Sequence, residues 1–425
     1  MQLHYLRQAI QMLKQNRFIS FIAVMGTALA IMMIMAIIVS EEVKNISVAP
    51  EVNRDRTYYI TREATRDTVM RSSSSNIVSI ELFNTYMRDL KTPELISATT
   101  IFFVTMMQTQ LVGNEGSSRI MDGLIRITDP AYFRILSFEF IEGRALGDAE
   151  YESGIAEAVI TDRVAKELFK GESPLGQTIE LEFSPFRVVG VVREVSPVFT
   201  MAYSDIWISN RTEYGKANSY GSQIMIQLAD NRDYPALEAE IRAIEAKYGV
   251  DHPNMVLTLT GPVNHRGFMV AATGGQWMMD VEEMVKRYNR KHLFILFVLM
   301  LVPAINLSSI SLSRIKKRTE EIGVRKAFGA KKHVILFQVL YENLITSLLG
   351  GVIGLFLSYW VVIEMKNWLL DIPSDSVVPI NTLVSFPVFI AVFVVCLLIN
   401  LLSAGIPAYR ASRMNIVNSL HRNAK

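Results

Sequence analysis

The chain has 425 residues, half of them hydrophobic, with 43 Lys and Arg against 41 Asp and Glu and a formal net charge of +2. So even a balance excludes the broad basic surface that would point to nucleic acid. The only cysteine, Cys396, excludes an intrachain disulfide, so any domain outside a membrane must be held by its own core.

Residues 1–17 carry Arg7, Lys14 and Arg17 and no acid, and read as a cytoplasmic amphipathic segment. Block 18–39 holds no charged residue and reaches the roughly 20 residues a helix needs to cross hydrocarbon. A signal peptide shares the basic start, but its apolar core spans only about 7–15 residues before a small-residue cleavage site. This block runs longer, into Ser40, Glu41 and Glu42, and reads as an uncleaved first transmembrane helix.

Residues 40–292 read as a large α+β domain outside the cytoplasm. Alternating or β-branched runs at 57–61 (TYYIT), 178–183 (TIELEF), 186–192 (FRVVGVV), 205–209 (DIWIS) and 223–228 (QIMIQL) predict strands. Helical patterns cover 79–90, 161–170 and 234–248; Thr161 or Asp162 can cap the second, and Gly171 follows it. The serine run 72–75 and residues 113–118 read as exposed loops. GESPLGQT at 171–178 has phosphate-loop spacing, but Gln177 replaces the lysine, and a helix precedes where a strand should, so a turn is expected. The six histidines show no HExxH-like spacing and no GxSxG elbow is present, so neither a metal centre nor a catalytic constellation is expected. Lys286, Arg287, Arg290 and Lys291 read as solvated charges on a helix rising out of the membrane.

Three further apolar blocks follow: 293–313, 334–363 and 383–403. Their only charged residue is Glu342, and an acid within a span is a functional candidate. Its place ten residues after Lys332 favours a pairing role near the cytoplasmic interface over direct transport. Pro303 and Asn306 lie midway along the second span, where a packing kink is expected. Gly350 and Gly354, with Ser358, form a small-residue face, as do Gly26 and Ala30 in the first span, and such faces let helices approach closely. Four spans in a 1 + 3 arrangement put both termini on one side. Segments 1–17, 314–333 and the tail 404–425 together hold fifteen basic and two acidic residues, against 27 and 35 in 41–292 and one and three in 364–382. The positive-inside rule therefore places the first group in the cytoplasm and the large domain and loop 364–382 outside.

The connection at 314–333 contains RTEEIGVRKAFGAKK. Thr319 can cap a helix, Glu320 and Glu321 complement its dipole, and Glu321 can pair with Arg325. Val324, Ala327 and Phe328 share a face, and Gly329 can end the helix. A basic loop that only fixes topology accounts for the lysines but not for that apolar face.

Here the residues resemble a known family. RTEEIGVRKAFGA (318–330) looks like the signature of FtsX/MacB-type ABC transporter permeases, whose helix between the second and third spans docks on an ATPase. PAYRASRMNIVNSL (407–420) resembles that family's ending, and DPAYFRILSFEFIEGRAL, EAVITDRVAKELFKGESPLGQTIEL and FRVVGVV, starting at Asp129, Glu157 and Phe186, resemble its periplasmic core domain. The resemblance implies an inner-membrane permease working by mechanotransmission, with ATPase coupling through Thr319, Glu320, Glu321, Ile322, Gly323, Val324, Arg325, Lys326, Ala327, Phe328 and Gly329. No GxxxxGK[ST] occurs in the sequence, so ATP and Mg are expected on a separate ABC ATPase subunit, with no cofactor and no enzymatic activity in this chain. Expected partners are that ATPase, a second permease (a like or related copy), membrane lipid, and a periplasmic adaptor or outer-membrane channel. Two functions follow: export of a lipoprotein, peptide, lipid or drug, or FtsX-like switching of a cell-wall hydrolase without transport. The size of the outer domain favours the first.

Overall fold

The computed structural model describes residues 17–43, 47–100, 109–112, 120–219, 221–273, 280–317, 322–324, 327–329, 331–365 and 386–413. They divide into two compact units.

One unit, built from Lys44–Tyr288, is α+β. Its largest sheet runs Ile120–Gly123, Thr109–Val112, Thr178–Leu181, Ser184–Val192, Glu157–Thr161, Ile206–Ser209, Ile125–Thr128, and Phe140–Gly143 also pairs with Ser184–Val192. Ser184–Val192 lies parallel to Glu157–Thr161, and Ile206–Ser209 parallel to Ile125–Thr128, while the other pairs are antiparallel. Helix Asp162–Phe169 lays Val164, Leu168 and Phe169 on this sheet; Thr161 accepts from the Val164 N–H and caps it, as its sequence pattern requires. On the other side of the core, the Trp207 indole donates to the Tyr132 hydroxyl (3.1 Å), which donates to the Met201 carbonyl (2.7 Å). Burial pushes the Tyr132 pKa up to about 12.

A four-stranded antiparallel sheet runs Val263–Asn264, Thr57–Ile60, Gln223–Gln227, Leu95–Thr99. Helix Tyr234–Asp251 buries Leu237, Ile241 and Ile244, an i, i+4, i+7 stripe, in the cluster with Ile224, Ile226, Leu257 and Leu259. A third sheet, Met255–Thr260, Arg62–Asp67, Ser73–Asn76, is antiparallel.

The expected strands appear at 57–60, 178–181, 184–192, 206–209 and 223–227, and the helices at 162–169 and 234–251. The helix expected over 79–90 is a turn, Ile80–Leu82, that widens into a π-helix at Phe83–Met87. The serine run is a strand, not a loop: register against Arg62–Asp67 orders it, with the Thr65 and Ser74 hydroxyls 2.8 Å apart. Residues 113–118 lie outside the described residues. Residues 171–177 form the expected turn, with positive φ at Gly171 and Gly176 and the Gln177 amide donating to the Ser173 carbonyl.

The other unit is helical. Arg17–Val43, Lys332–Glu364 and Phe386–Arg413 belong to it, and Val281–Lys317 enters it at Asn289. By length and composition, Arg17–Val39 and Lys332–Glu364 can each cross a membrane. Blocks 293–313 and 386–403 are helical too, within Val281–Lys317 and Phe386–Arg413. The charges before the second block lie on that helix as expected, in i,i+4 pairs: Lys286 with Glu282 (2.7 Å) and Arg287 with Glu283 (3.1 Å).

Candidate functional site

The third long helix, Lys332–Glu364, is the hub of the helical unit. Against the first helix it presents Gly350 and Gly354. A Cβ at Gly350 would lie 2.7 Å from the Thr27 Cβ and 2.9 Å from the Val24 carbonyl, and one at Gly354 would lie 2.9 Å from the Ala28 carbonyl. The backbones are therefore in direct contact, as the small-residue pattern predicts. The matching stripe on the first helix is Ala23, Thr27, Ala28 and Ile31, all buried, whereas Gly26 and Ala30 are only half-buried. Spacing of i, i+4, i+5 and i+8 turns that face toward the partner and the Gly26–Ala30 face to its side. Gly351 faces the fourth helix, where an added Cβ would overlap the Phe393 ring.

Near the cytoplasmic start expected for this helix, Glu342 is buried (9% exposed) beside Asn343, Thr346 and Ser347. The Asn343 amide donates to the Val339 carbonyl (2.8 Å) and the Thr346 hydroxyl to the Glu342 carbonyl (2.9 Å), so this polar stretch satisfies part of its own hydrogen bonding within the helix. Pro303 and Asn306 lie in a stretch that stays helical through both positions; their side chains lie outside the described residues.

In the connection, residues 322–324 and 327 are helical. Thr319, Glu320, Glu321, Arg325 and Lys326, and with them the expected cap and the Glu321–Arg325 pair, lie outside the described residues. What is described has two opposed sides. Ile322 is buried with Ile315 and Ile335, and Val339 packs against this cluster; Gly323 is buried as well. Val324 is 45% exposed and Phe328 88% exposed, with Ala327 and Gly329 exposed beside them. Among the described residues, then, nothing buries the apolar face read from the sequence. The Phe328 N–H donates to the Val324 carbonyl (3.1 Å), which keeps both side chains on one turn, and Gly329, at φ +89°, ends it. The anchoring role of Ile315 was missed, although its spacing of seven residues before Ile322 is a two-turn helical repeat.

Lys331, Lys332 and His333 follow, all exposed, at the N-terminus of the third helix. Cations at the positive end of a helix dipole cost about 0.3–1 kcal/mol each.

In the α+β unit, the segment that follows the first long helix in sequence and the helix that precedes the second meet in a buried cluster. Arg54 pairs with Glu51 at 2.6 Å, both side chains at most 2% exposed. Glu51 accepts from the Met201 N–H (3.1 Å), and the His265 ring nitrogen, at the start of helix His265–Thr273, lies 3.8 Å away. No sequence pattern announced this cluster, because Glu51 and Arg54 sit in a short irregular segment.

Residues 20–244 match the MacB-like periplasmic core domain, and residues 293–416 match the FtsX-like permease C-terminal domain. The chain belongs to the MacB/FtsX family of ABC transporter permeases. It is 27% identical over 325 residues to the macrolide export ATP-binding/permease protein MacB of Shewanella sp. (strain W3-18-1), a match covering 75% of this chain and 46% of that protein. To the uncharacterized ABC transporter permease YknZ of Bacillus subtilis (strain 168) it is 23% identical over 305 residues, 70% of each chain. The chain thus spans less than half of this MacB relative and over two thirds of YknZ. The crystal structure of the extracellular domain of YknZ from Gram-positive bacteria aligns with 48% of this chain and 99% of that domain, at 14% identity and a TM-score of 0.35. The FtsX-like match lies almost wholly in the helical unit, and the core-domain match covers most of the α+β unit together with the first long helix from residue 20.

Proposed function

We propose that this permease spans the membrane four times, with both termini cytoplasmic, and couples ATP hydrolysis on a separate ABC ATPase subunit to motion of its outer domain. The observation that carries the reading is the connection at 322–329: one side is anchored through Ile322 to Ile315 and Ile335, and the other offers Val324 and Phe328 uncovered. An apolar face held rigidly and left open suits docking of a second polypeptide. The close contact of first and third helices makes them one body in such a motion, and the Glu51–Arg54 cluster ties together the two segments through which chain connectivity carries it. ATP and Mg belong on the partner, and a second permease, like or related, completes the complex. The work drives export or extraction of an envelope substrate, a lipoprotein, peptide, lipid or drug; the macrolide export named for the MacB relatives supports an apolar one.

The test is co-purification of the full chain with its ATPase, comparing Phe328→Glu with Phe183→Glu, a 97%-exposed aromatic of the outer domain. Phe328→Glu loses the ATPase while the chain remains folded and inserted; equal recovery with both variants overturns the docking assignment.

A further inference from the structure

The three-stranded sheet of the outer domain has two edges that the sequence treats differently. At Met255–Thr260 the outer side is occupied: the Glu245 carboxylate, from the neighbouring helix, accepts from the Leu259 N–H at 2.7 Å. At the opposite edge lies Ser73–Asn76, every residue exposed, paired among the described residues only with Arg62–Asp67. Natural edge strands are blunted by Lys, Pro, bulges or a covering element. This one carries three serines and an asparagine, and among the described residues nothing covers it.

The hydrogen-bonding register shows what it offers. Asp67 donates its N–H to the Ser72 carbonyl (2.9 Å), so the next bonded pairs of the antiparallel ladder are Thr65 with Ser74 and Glu63 with Asn76. The N–H and C=O of Ser73 and Ser75 therefore point away from the sheet. The turn leading into the strand is held by Asp67, whose carboxylate accepts from the N–H groups of Val69 (2.7 Å) and Met70 (2.8 Å); both side chains project, 71% and 80% exposed. Charge sets the kind of partner. Glu63 is engaged by Ser79 and Asp67 by the turn, whereas Arg66, directly opposite Ser73, and Arg71 are exposed and have no carboxylate partner among the described residues.

We propose that Ser73–Asn76 is a docking edge for an extended, acidic polypeptide segment. The segment adds a strand through Ser73 and Ser75, sets its carboxylates on Arg66 and Arg71, and covers Val69 and Met70 with apolar side chains. Self-pairing of two copies along this edge would bring the same arginines together, and like charges across a strand pair are destabilising. The proposal is independent of the ATPase-coupling reading, because every residue in it belongs to the outer domain.

The test uses the full chain in neutral-lipid nanodiscs and two fluorescent, end-capped nonapeptides, one alternating Glu and Val and the other Lys and Val, read by anisotropy. Saturable binding of the Glu peptide, at least tenfold tighter than the Lys peptide, is expected. Ser75→Pro removes an outward N–H at an edge position that tolerates proline and weakens binding at least tenfold. The double variant Arg66→Glu, Arg71→Glu, confined to exposed side chains, reverses the peptide preference and keeps the test decisive if the proline variant misfolds. Absence of saturable binding, or binding that neither variant changes, overturns the proposal. So does a Ser75→Cys cross-link joining two copies across this edge, which would make the occupant a second copy.

Discussion

Replacing Gly350 with Ala should loosen the seam between the first and third helices. The new Cβ would stand 2.7 Å from the Thr27 Cβ and 2.9 Å from the Val24 carbonyl. Carbon atoms pack best at about 3.5–4.0 Å, so the helices must part by most of an ångström, a gap that forfeits a quarter to a half of each lost contact's attraction. Overpacking of this kind costs about 1–3 kcal/mol. Alanine also gains about 1 kcal/mol over glycine in helix propensity, which masks part of the loss. Gly405 in the fourth helix removes that ambiguity, because a Cβ there meets nothing within 4 Å. Gly350→Ala should therefore be less stable than Gly405→Ala by about 1–3 kcal/mol, with the propensity gain common to both. The assay is SDS-induced unfolding of the purified chain in mixed micelles, followed by far-ultraviolet circular dichroism. Equal shifts in the two variants would refute direct backbone contact at Gly350.

Three further outcomes are expected. Glu51→Gln leaves the Arg54 guanidinium buried beside a neutral amide, so the outer domain should lose about 3–5 kcal/mol in urea unfolding, whereas Glu139→Gln, from an exposed pair with Arg193, should change little. Burial pushes Tyr132 up to about 12 in the folded chain against about 10 when unfolded, so its contribution is complete below pH 10 and lost as pH rises through 12, about 3 kcal/mol in all; Tyr132→Phe should lessen the fall of stability across that window, which the other buried tyrosines share, and an unchanged slope would reject burial as the cause. Burial alone would raise the Asp162 pKa, but the Lys166 ammonium and the Glu194 N–H hold it below the usual carboxylate value. Its contribution is thus present above pH 4 and lost as pH falls through its folded pKa, and Lys166→Met should narrow that acid-side loss in pH-dependent urea unfolding.

Where burial imposes a period, the sequence displays it. FRVVGVV and QIMIQL alternate or run apolar because their sheets are covered, and both strands were legible to within two residues. REATRD and SSSN carry no such signal, since the third sheet is solvated on one face and its outer strand buries nothing, so a strand held by register alone reads as a loop. The small residues of the third helix predicted close packing correctly, while the matching face of the first helix was displaced by one residue. Gly26 and Ala30 stand out by size, yet the seam is made by Thr27 and Ala28, and the Thr27 hydroxyl fits there because it donates to the Ala23 carbonyl (2.9 Å) within its own helix.

The connection that precedes the third long helix shows why composition alone was ambiguous. Ile322, Val324, Ala327 and Phe328 are all apolar, and an amphipathic helix of this length normally buries its one stripe against its own protein. Here Ile322 is spent on the anchor with Ile315 and Ile335, and Val324 and Phe328 stay in solvent. A fully buried Phe is worth about 1.5–3 kcal/mol, and at 88% exposure nearly all of that is still available to a partner. Under the docking proposal, Ile322 is the contact through which the connection meets the third helix, at Ile335. On the coupling reading proposed above, the uncovered Val324 and Phe328 take up the partner while Ile322, held by Ile315 and Ile335, passes the motion on.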